Sequence, residues 1–498
     1  MARSEYTEYE TRRGFNFRFI FLLLGVLCFI QVVFLLCAAS ISSYFHDTAL
    51  KPLLYTALID SILGLILILS SRGYKMYDTG RREGMVSVTL SWLVVAILGL
   101  LPYYLGGFIP SLPDAFFETI SGLTTTGSTI LNDIESMPRG ILFWRSVTQW
   151  MGGIGIIVFM VAIIPILGES ASLIYDHESS GVTHDRFAPR FTVVAKWISV
   201  IYVSLTVLCI FLLWLGPLGL FDAVCHGLTC ISTGGFSTFN DSIAGFNSHY
   251  TYMVLTLFMF MGAVSFSLSY FALVRRDPMK MVRDTEFQWF VVVIALLTVV
   301  SSLILFFTNR YDSYFTALEY SLVQIVSLIT TTGYAISDYN TWGSPFWVLA
   351  LFSMFIAGCS GSTSGGLKMI RFNILTRSLF NEFKKRTHPH AVIPLRLGGR
   401  VLKPKYIMQV YNFFFAYLFL IVVGTFIITL EGFSLEEAIS VSITSISNSG
   451  PGLATFGPMA NMSALSDFSK IYMGLMMVVG RLEIFTVMTL FHKSFWRN

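Results

Sequence analysis

The sequence predicts an all-α integral membrane protein of ten spans, built as four pseudo-repeated units with a two-span extension at the N-terminus. Three observations carry that prediction. Charged residues are 12% of the 498, hydrophobic residues 54%, and the mean hydropathy is +0.69, whereas a soluble chain would be about 25% charged. Many apolar runs reach about 20 residues, the length that crosses a hydrocarbon layer of roughly 30 Å. Four short polar segments run into glycine: Thr124-Thr125-Thr126-Gly127-Ser128, Ile231-Ser232-Thr233-Gly234-Gly235, Thr330-Thr331-Thr332-Gly333-Tyr334 and Ser447-Asn448-Ser449-Gly450-Pro451. They recur roughly every 100 residues, each between two long apolar stretches.

Taken in order, spans fall near residues 16 to 40, 50 to 70, 84 to 105, 141 to 168, 190 to 215, 249 to 274, 286 to 308, 346 to 373, 404 to 430 and 470 to 492. The first run, Phe19 to Ala39, follows Arg12, Arg13 and Arg18 in the manner of a signal peptide. It is longer than such an apolar region, and Leu36 is too large for a cleavage site, so it reads as a retained helix. Shorter amphipathic stretches near 113 to 125, 220 to 232, 315 to 331 and 434 to 447 each precede a glycine segment. Too short to cross alone, they read as re-entrant half-helices.

The repeat is visible below the glycine as well. Ala115 precedes Gly127 by the same offset as Ala438 precedes Gly450, while Ala223 lies one residue closer to Gly234. Residues 84–168, 188–274, 285–375 and 403–498 form the four units, the third with a broken second helix, and 1–83 form the extension.

Lys and Arg concentrate on alternate connections: Arg12 and Arg13; Arg72, Lys75, Arg81 and Arg82; Arg186; Arg275, Arg276, Lys280 and Arg283; Lys384, Lys385, Arg386, Arg396 and Arg400; Lys493 and Arg497. The opposite connections hold little beyond Lys51, Arg139, Arg310 and Lys470. By the positive-inside rule the first set is cytoplasmic, with both termini inside. The six cysteines mostly sit in apolar segments without C-x-x-C spacing, so neither a disulfide framework nor a zinc site is indicated. The eight His are scattered and form no metal-ligand spacing with Asp or Glu, which disfavours an enzyme.

A polar loop at membrane depth needs a polar occupant. A half-helix that dips inward presents the negative end of its dipole to the loop after it. Four such ends favour a cation, and loops lined with carbonyls can replace its water shell. Glycine permits the positive φ that turns carbonyls inward without a side chain intruding. None of the four segments contains Asp or Glu, so a monovalent ion fits better than a divalent one. Potassium surrenders its water more readily than sodium.

These four segments, with Phe143-Trp144-Arg145-Ser146, Gln149-Trp150-Met151-Gly152-Gly153, Gly361-Ser362-Thr363-Ser364-Gly365-Gly366-Leu367-Lys368 and Gly480-Arg481-Leu482-Glu483, make the chain resemble the TrkH/Ktr/HKT superfamily of potassium transporters. The extra N-terminal span pair and the ending Phe495-Trp496-Arg497-Asn498 are most similar to the bacterial TrkH branch. The resemblance implies one pore per chain in a bacterial inner-membrane protein, potassium as the bound ion, a homodimer, and a cytoplasmic nucleotide-binding partner of the TrkA type. It also implies a selectivity filter at Thr125, Thr126 and Gly127; Ser232, Thr233 and Gly234; Thr331, Thr332 and Gly333; and Asn448, Ser449 and Gly450. Glycine in all four segments is the pattern associated with potassium preference; the fourth lacks a Thr-Thr pair.

The span beginning near Phe346 is interrupted by Gly358, Cys359, Ser360, Gly361, Ser362, Thr363, Ser364, Gly365 and Gly366, a run that cannot hold a stiff helix. Irregular backbone survives at this depth only where protein or a watery cavity satisfies it. It reads as a gate below the filter, matching the intramembrane loop of the resembling family; the other reading is a helix end and a surface connection. It is no phosphate-binding loop, because the Gly-Lys-Ser/Thr order is missing. Arg481 is costly in a span unless it meets water or a partner; it is read either as a barrier to cations beside the path or as a pair for Glu483. Lys368 is read as snorkelling and Asp60 as a packing hydrogen bond.

The competing function is a proton- or sodium-coupled secondary transporter of a small solute or of potassium, with Asp60, Glu118 or Glu319 as coupling sites. Four units in the same direction, rather than inverted repeats, speak against it. The basic stretch from Arg377 to Lys405 is suited to a soluble regulator or to anionic lipid.

Overall fold

The computed structural model describes residues 15–73, 81–167 and 188–496. Of the cations used for orientation, Arg12, Arg13, Lys75, Arg186 and Arg497 lie outside the described residues, as do residues 168 to 187 between the first two units. Six described helices are long and apolar enough to cross a membrane, and eight if two bent pairs each count as one span.

The chain divides into two compact units. The first comprises residues 15–110, 138–144 and 482–496 of those described. Its helices α1 (Phe17–Tyr44) and α2 (Leu50–Ser70) form a hairpin drawn together at small residues. A methyl on Gly25 would lie 2.7 Å from Ile68 and 3.0 Å from the Gly64 carbonyl. Helices α3 (Arg81–Gly99) and α4 (Leu101–Leu105) follow, and the Trp144 indole donates to the Gly99 carbonyl at 3.1 Å. The first span of the first repeat thus belongs with the N-terminal pair. Asp60 is fully buried in this unit with neither carboxyl oxygen partnered, so the expected packing hydrogen bond is not made.

The second unit, residues 111–137 and 145–481, holds all four half-helices: α5 (Leu112–Leu123), α8 (Leu220–Ile231), α13 (Tyr314–Ile329) and α17 (Leu435–Ser447). Serine caps three of them: Ser111, Ser313 and Ser434, the last in a capping box with Glu437. At 1.5 Å per residue each spans roughly 20 Å, short of a bilayer. The long partners are α6 (Arg139–Leu167), α7 (Ala188–Leu215), α9 (His249–Ala263) with α10 (Phe266–Leu273), and, beyond the short α11 (Pro278–Val282), α12 (Thr285–Phe307). Then come α14 (Ser344–Phe355), α15 (Met369–Thr387), α16 (Pro404–Thr429) and α18 (Asp467–Arg481). A two-residue hairpin, β1 (Arg396–Leu397) with β2 (Arg400–Val401), joins α15 to α16.

Three of the second-position helices are broken, where the sequence indicated one. Helix α9 turns by 105° into α10. The span expected at 249 to 274 is therefore not continuous. The carbonyls freed at its break are satisfied from elsewhere: Gly262 accepts from Thr363 N–H at 3.3 Å and Ala263 from Cys359 N–H at 2.9 Å. The span expected at 470 to 492 ends as a helix at Arg481, and Glu483 takes φ 65° before α19 (Ile484–Met488). The predicted break after Phe355 is present; its two edges pair as a bridge between Ile356 and Leu367.

Candidate ion-binding ring

Each half-helix ends the same way. A residue at or just after the C-cap adopts the left-handed conformation: Thr125 (φ 54°), Thr233 (54°) and Thr331 (56°) after it and Asn448 (57°) at it. The next N–H reaches back to the half-helix, from Thr126 to Ser121 (2.8 Å), Gly234 to Thr229 (2.9 Å), Thr332 to Ser327 (3.0 Å) and Ser449 to Thr444 (3.1 Å), as in a Schellman cap. One residue further φ is positive again, at Gly127 (86°), Gly235 (77°), Gly333 (85°) and Gly450 (95°). A chain alternating the sign of φ can turn consecutive carbonyls to one side, which a strand does not.

The four loops touch one another in a closed cycle. A methyl on Gly127 would overlap the Gly234 carbonyl, and one on Gly235 the Thr332 carbonyl. On Gly333 it would lie 2.5 Å from the Ser449 oxygen, and on Gly450 2.8 Å from the Thr126 oxygen, which returns to the first loop. Gly127, Gly235, Gly333 and Gly450 line one cavity of about 60 Å³.

The second loop corrects the sequence register by one residue. Its left-handed glycine is Gly235, and Gly234 occupies the place of Thr126, Thr332 and Ser449. Counted to Gly235, the offset from Ala223 matches those of the first and fourth units. Two successive glycines made the choice ambiguous in the sequence.

Side chains lock the ring. Gln149 on α6 donates to the Gly234 carbonyl at 2.7 Å and accepts from Phe236 N–H at 3.0 Å. Ser128 donates to the Gly450 carbonyl at 2.6 Å, and Asn448 Nδ2 reaches Thr126 Oγ1 and the Met477 carbonyl, both at 3.0 Å. Behind it, Glu118 and Arg145 form a fully buried pair at 2.8 Å. Glu118 also accepts from Ile130 N–H, and Arg145 donates to the Ser237 carbonyl at 3.2 Å while lying 4.1 Å over the Phe236 ring. Gln149, Arg145 and Ser128 lie within the sequence motifs, but nothing in the sequence names their partners.

Residues 358–366 meet the loops at their left-handed residues. Thr363 Oγ1 lies 3.2 Å from Thr233 Oγ1, Ser364 Oγ lies 3.2 Å from Thr331 Oγ1, and Gly365 N–H donates to Thr331 Oγ1 at 2.8 Å. A methyl on Gly365 would lie 3.0 Å from the Asn448 side chain. Lys368 does not snorkel: its Nζ bonds the Ser364 carbonyl. The Arg481 guanidinium, 4% exposed, bonds the carbonyls of Thr363 and Gly152 rather than a carboxylate. The sequence-derived filter and gate residues are thus neighbours.

Residues 58–497 match the TrkH family, described as a cation transport protein. This chain belongs to the TrkH family. It is 36% identical to the Trk system potassium uptake protein TrkH of Salmonella typhimurium and 35% identical to that of Escherichia coli (strain K12), in each case over 97% of this chain and the whole of the relative. The crystal structure of the potassium transporter TrkH from Vibrio parahaemolyticus superposes with a TM-score of 0.88 at 34% identity, over 97% of this chain and all of that one. In this TrkH-family chain no group of three or more His, Cys, Asp or Glu suited to a metal occurs among the described residues, so the polar groups offered by the ring are carbonyls, hydroxyls and one amide.

Proposed function

We propose that the chain is the translocating subunit of a potassium uptake system, conducting potassium through the ring and gated by residues 358–366. The closed cycle of glycine-to-carbonyl contacts carries this reading, because only loops meeting on one path can hold a dehydrated ion between four carbonyl sets. Half-helix C-termini add partial negative charge at the same place. The names of the TrkH relatives agree with potassium as the cargo, and the filter is Thr125, Thr126, Gly127, Ser232, Thr233, Gly234, Gly235, Thr331, Thr332, Gly333, Asn448, Ser449 and Gly450. Arg481, held by two neutral carbonyls and so keeping its positive charge, raises the barrier to cations while the loop is in place.

In this reading the chain crosses the bacterial inner membrane ten times, counting broken spans once, with both termini cytoplasmic and pore units at 84–168, 188–274, 285–375 and 403–498. It acts as a homodimer with a TrkA-type nucleotide-binding regulator, for which the basic face of α15 and the hairpin after it is the docking side, shared with lipid head groups. Entry is driven by the membrane potential, about 2.3 kcal/mol per charge per 100 mV. Against the coupled-transport reading, Glu118 is taken up by its buried pair with Arg145; Glu319 contacts His249 at 2.6 Å and Asp60 is buried without a partner. Purified protein in planar bilayers tests the proposal: potassium current reversing near the potassium equilibrium potential supports it, and electrically silent, proton-dependent uptake refutes it.

A further inference from the structure

The interrupted segment is held at both edges by one side chain outside it. Glu286, in the first turn of α12 and 8% exposed, accepts through a single oxygen from Ser360 N–H at 2.7 Å and from Ile370 N–H at 3.0 Å. Ser360 lies near the start of the loop, and Ile370 in the first turn of α15 just beyond it. The backbone of Glu286 is itself fixed, because the Asp284 carboxylate caps α12 and accepts from the N–H groups of Glu286 and Phe287 at 2.9 Å each. A carboxylate bonded to two backbone N–H groups is a strong, charge-assisted clamp. It closes the excursion between residues 360 and 370 like a drawstring, whereas the bridge between Ile356 and Leu367 closes it from within.

From these contacts we infer that Glu286 is the latch that pins the loop in its obstructing position. This inference rests on the reading of residues 358–366 as the gate. Glu286, Ser360 and Ile370 also line a cavity of about 400 Å³, shared with Lys280, Arg283 and Arg400. The latch therefore borders a cavity that water and soluble groups can enter. Glu286 touches no ion and acts through the loop: it is a positioning residue.

Cys359, fully buried beside Ser360, supplies a native reporter. The test is the rate at which a hydrophilic maleimide labels Cys359 in purified full-length protein in nanodiscs, quantified on its peptide by mass spectrometry, alongside potassium flux in proteoliposomes. Glu286→Ala removes the oxygen that accepts both hydrogen bonds and is expected to speed labelling and flux by about tenfold or more, since losing even one hydrogen bond to a charged group is worth about tenfold. Glu286→Gln keeps an acceptor oxygen and is expected to stay within about threefold of the parent. Should Glu286→Ala fail to assemble, Glu286→Asp keeps the charge but falls short of both N–H groups and carries the same expectation. Unchanged Cys359 labelling in the Ala or Asp variant would overturn the latch, as would Gln labelling as fast as Ala. Faster labelling with unchanged flux would uphold the latch and refute the gate.

Discussion

Thr125, Thr233 and Thr331 hold a β-branched side chain at φ near 55°, a conformation that costs roughly 1–2 kcal/mol outside glycine. Their hydroxyls explain the choice at two of the three: Thr233 and Thr331 bond the interrupted segment, which a glycine could not do. Asn448 fills the fourth place at a lower backbone cost, since Asn tolerates this region, and its amide reaches across to Thr126. Thr331→Val keeps the shape but leaves Gly365 N–H without its acceptor, and is expected to raise potassium flux several-fold in proteoliposomes. Two positions further, Gly127→Ser and Gly333→Ser force a side chain into the neighbouring carbonyl. Rubidium uptake in competition with sodium is expected to lose about tenfold in preference, roughly 1.4 kcal/mol. The polar segments were plain in the sequence because they interrupt apolar runs. The strain at the threonines was not, since it follows from a capping geometry, and the Gly234-Gly235 register could be fixed only by which residue takes positive φ.

At the scale of elements, α5, α8, α13 and α17 followed from their shortness and their place before each glycine segment, and the break after α14 from its run of glycine and serine. The breaks after α9 and α18 did not show, because Gly262 and Gly480 look like ordinary packing residues. In the fold each faces a carbonyl at the end of a half-helix: a methyl on Gly262 would lie 2.9 Å from the oxygen of Ile231, the last residue of α8, and one on Gly480 would overlap that of Ile446, the last but one of α17. Where α9 stops, its last carbonyls lose their partners within the helix, and the segment 358–366 supplies donors to those of Gly262 and Ala263. That segment therefore supplies hydrogen bonds that the break after α9 needs, besides its proposed role as the gate. Deleting residues 359 to 365 is expected to raise flux by about tenfold or more, as an open filter without a barrier would conduct, and to lower the melting temperature because Gly262 and Ala263 lose their donors.

Over the whole molecule, composition alone was enough to read a membrane protein, and the repeat was enough to place four loops; that they close into one ring required coordinates. The Glu118–Arg145 pair shows how far this ring depends on its surroundings, since it ties a half-helix to α6 and, through Ser237, to the chain beyond the second loop. Breaking a buried pair typically costs about 3–5 kcal/mol. Glu118→Ala is therefore expected to depress thermal stability strongly, measured by the loss of folded protein on heating in detergent. A coupling role for Glu118 would instead leave the melt unchanged and alter only the pH dependence of uptake. The most direct test of the central claim is anomalous diffraction from crystals in which thallium replaces potassium. One ion path encircled by Gly127, Gly235, Gly333 and Gly450 is the expected result; thallium bound elsewhere, with none in the ring, would contradict it.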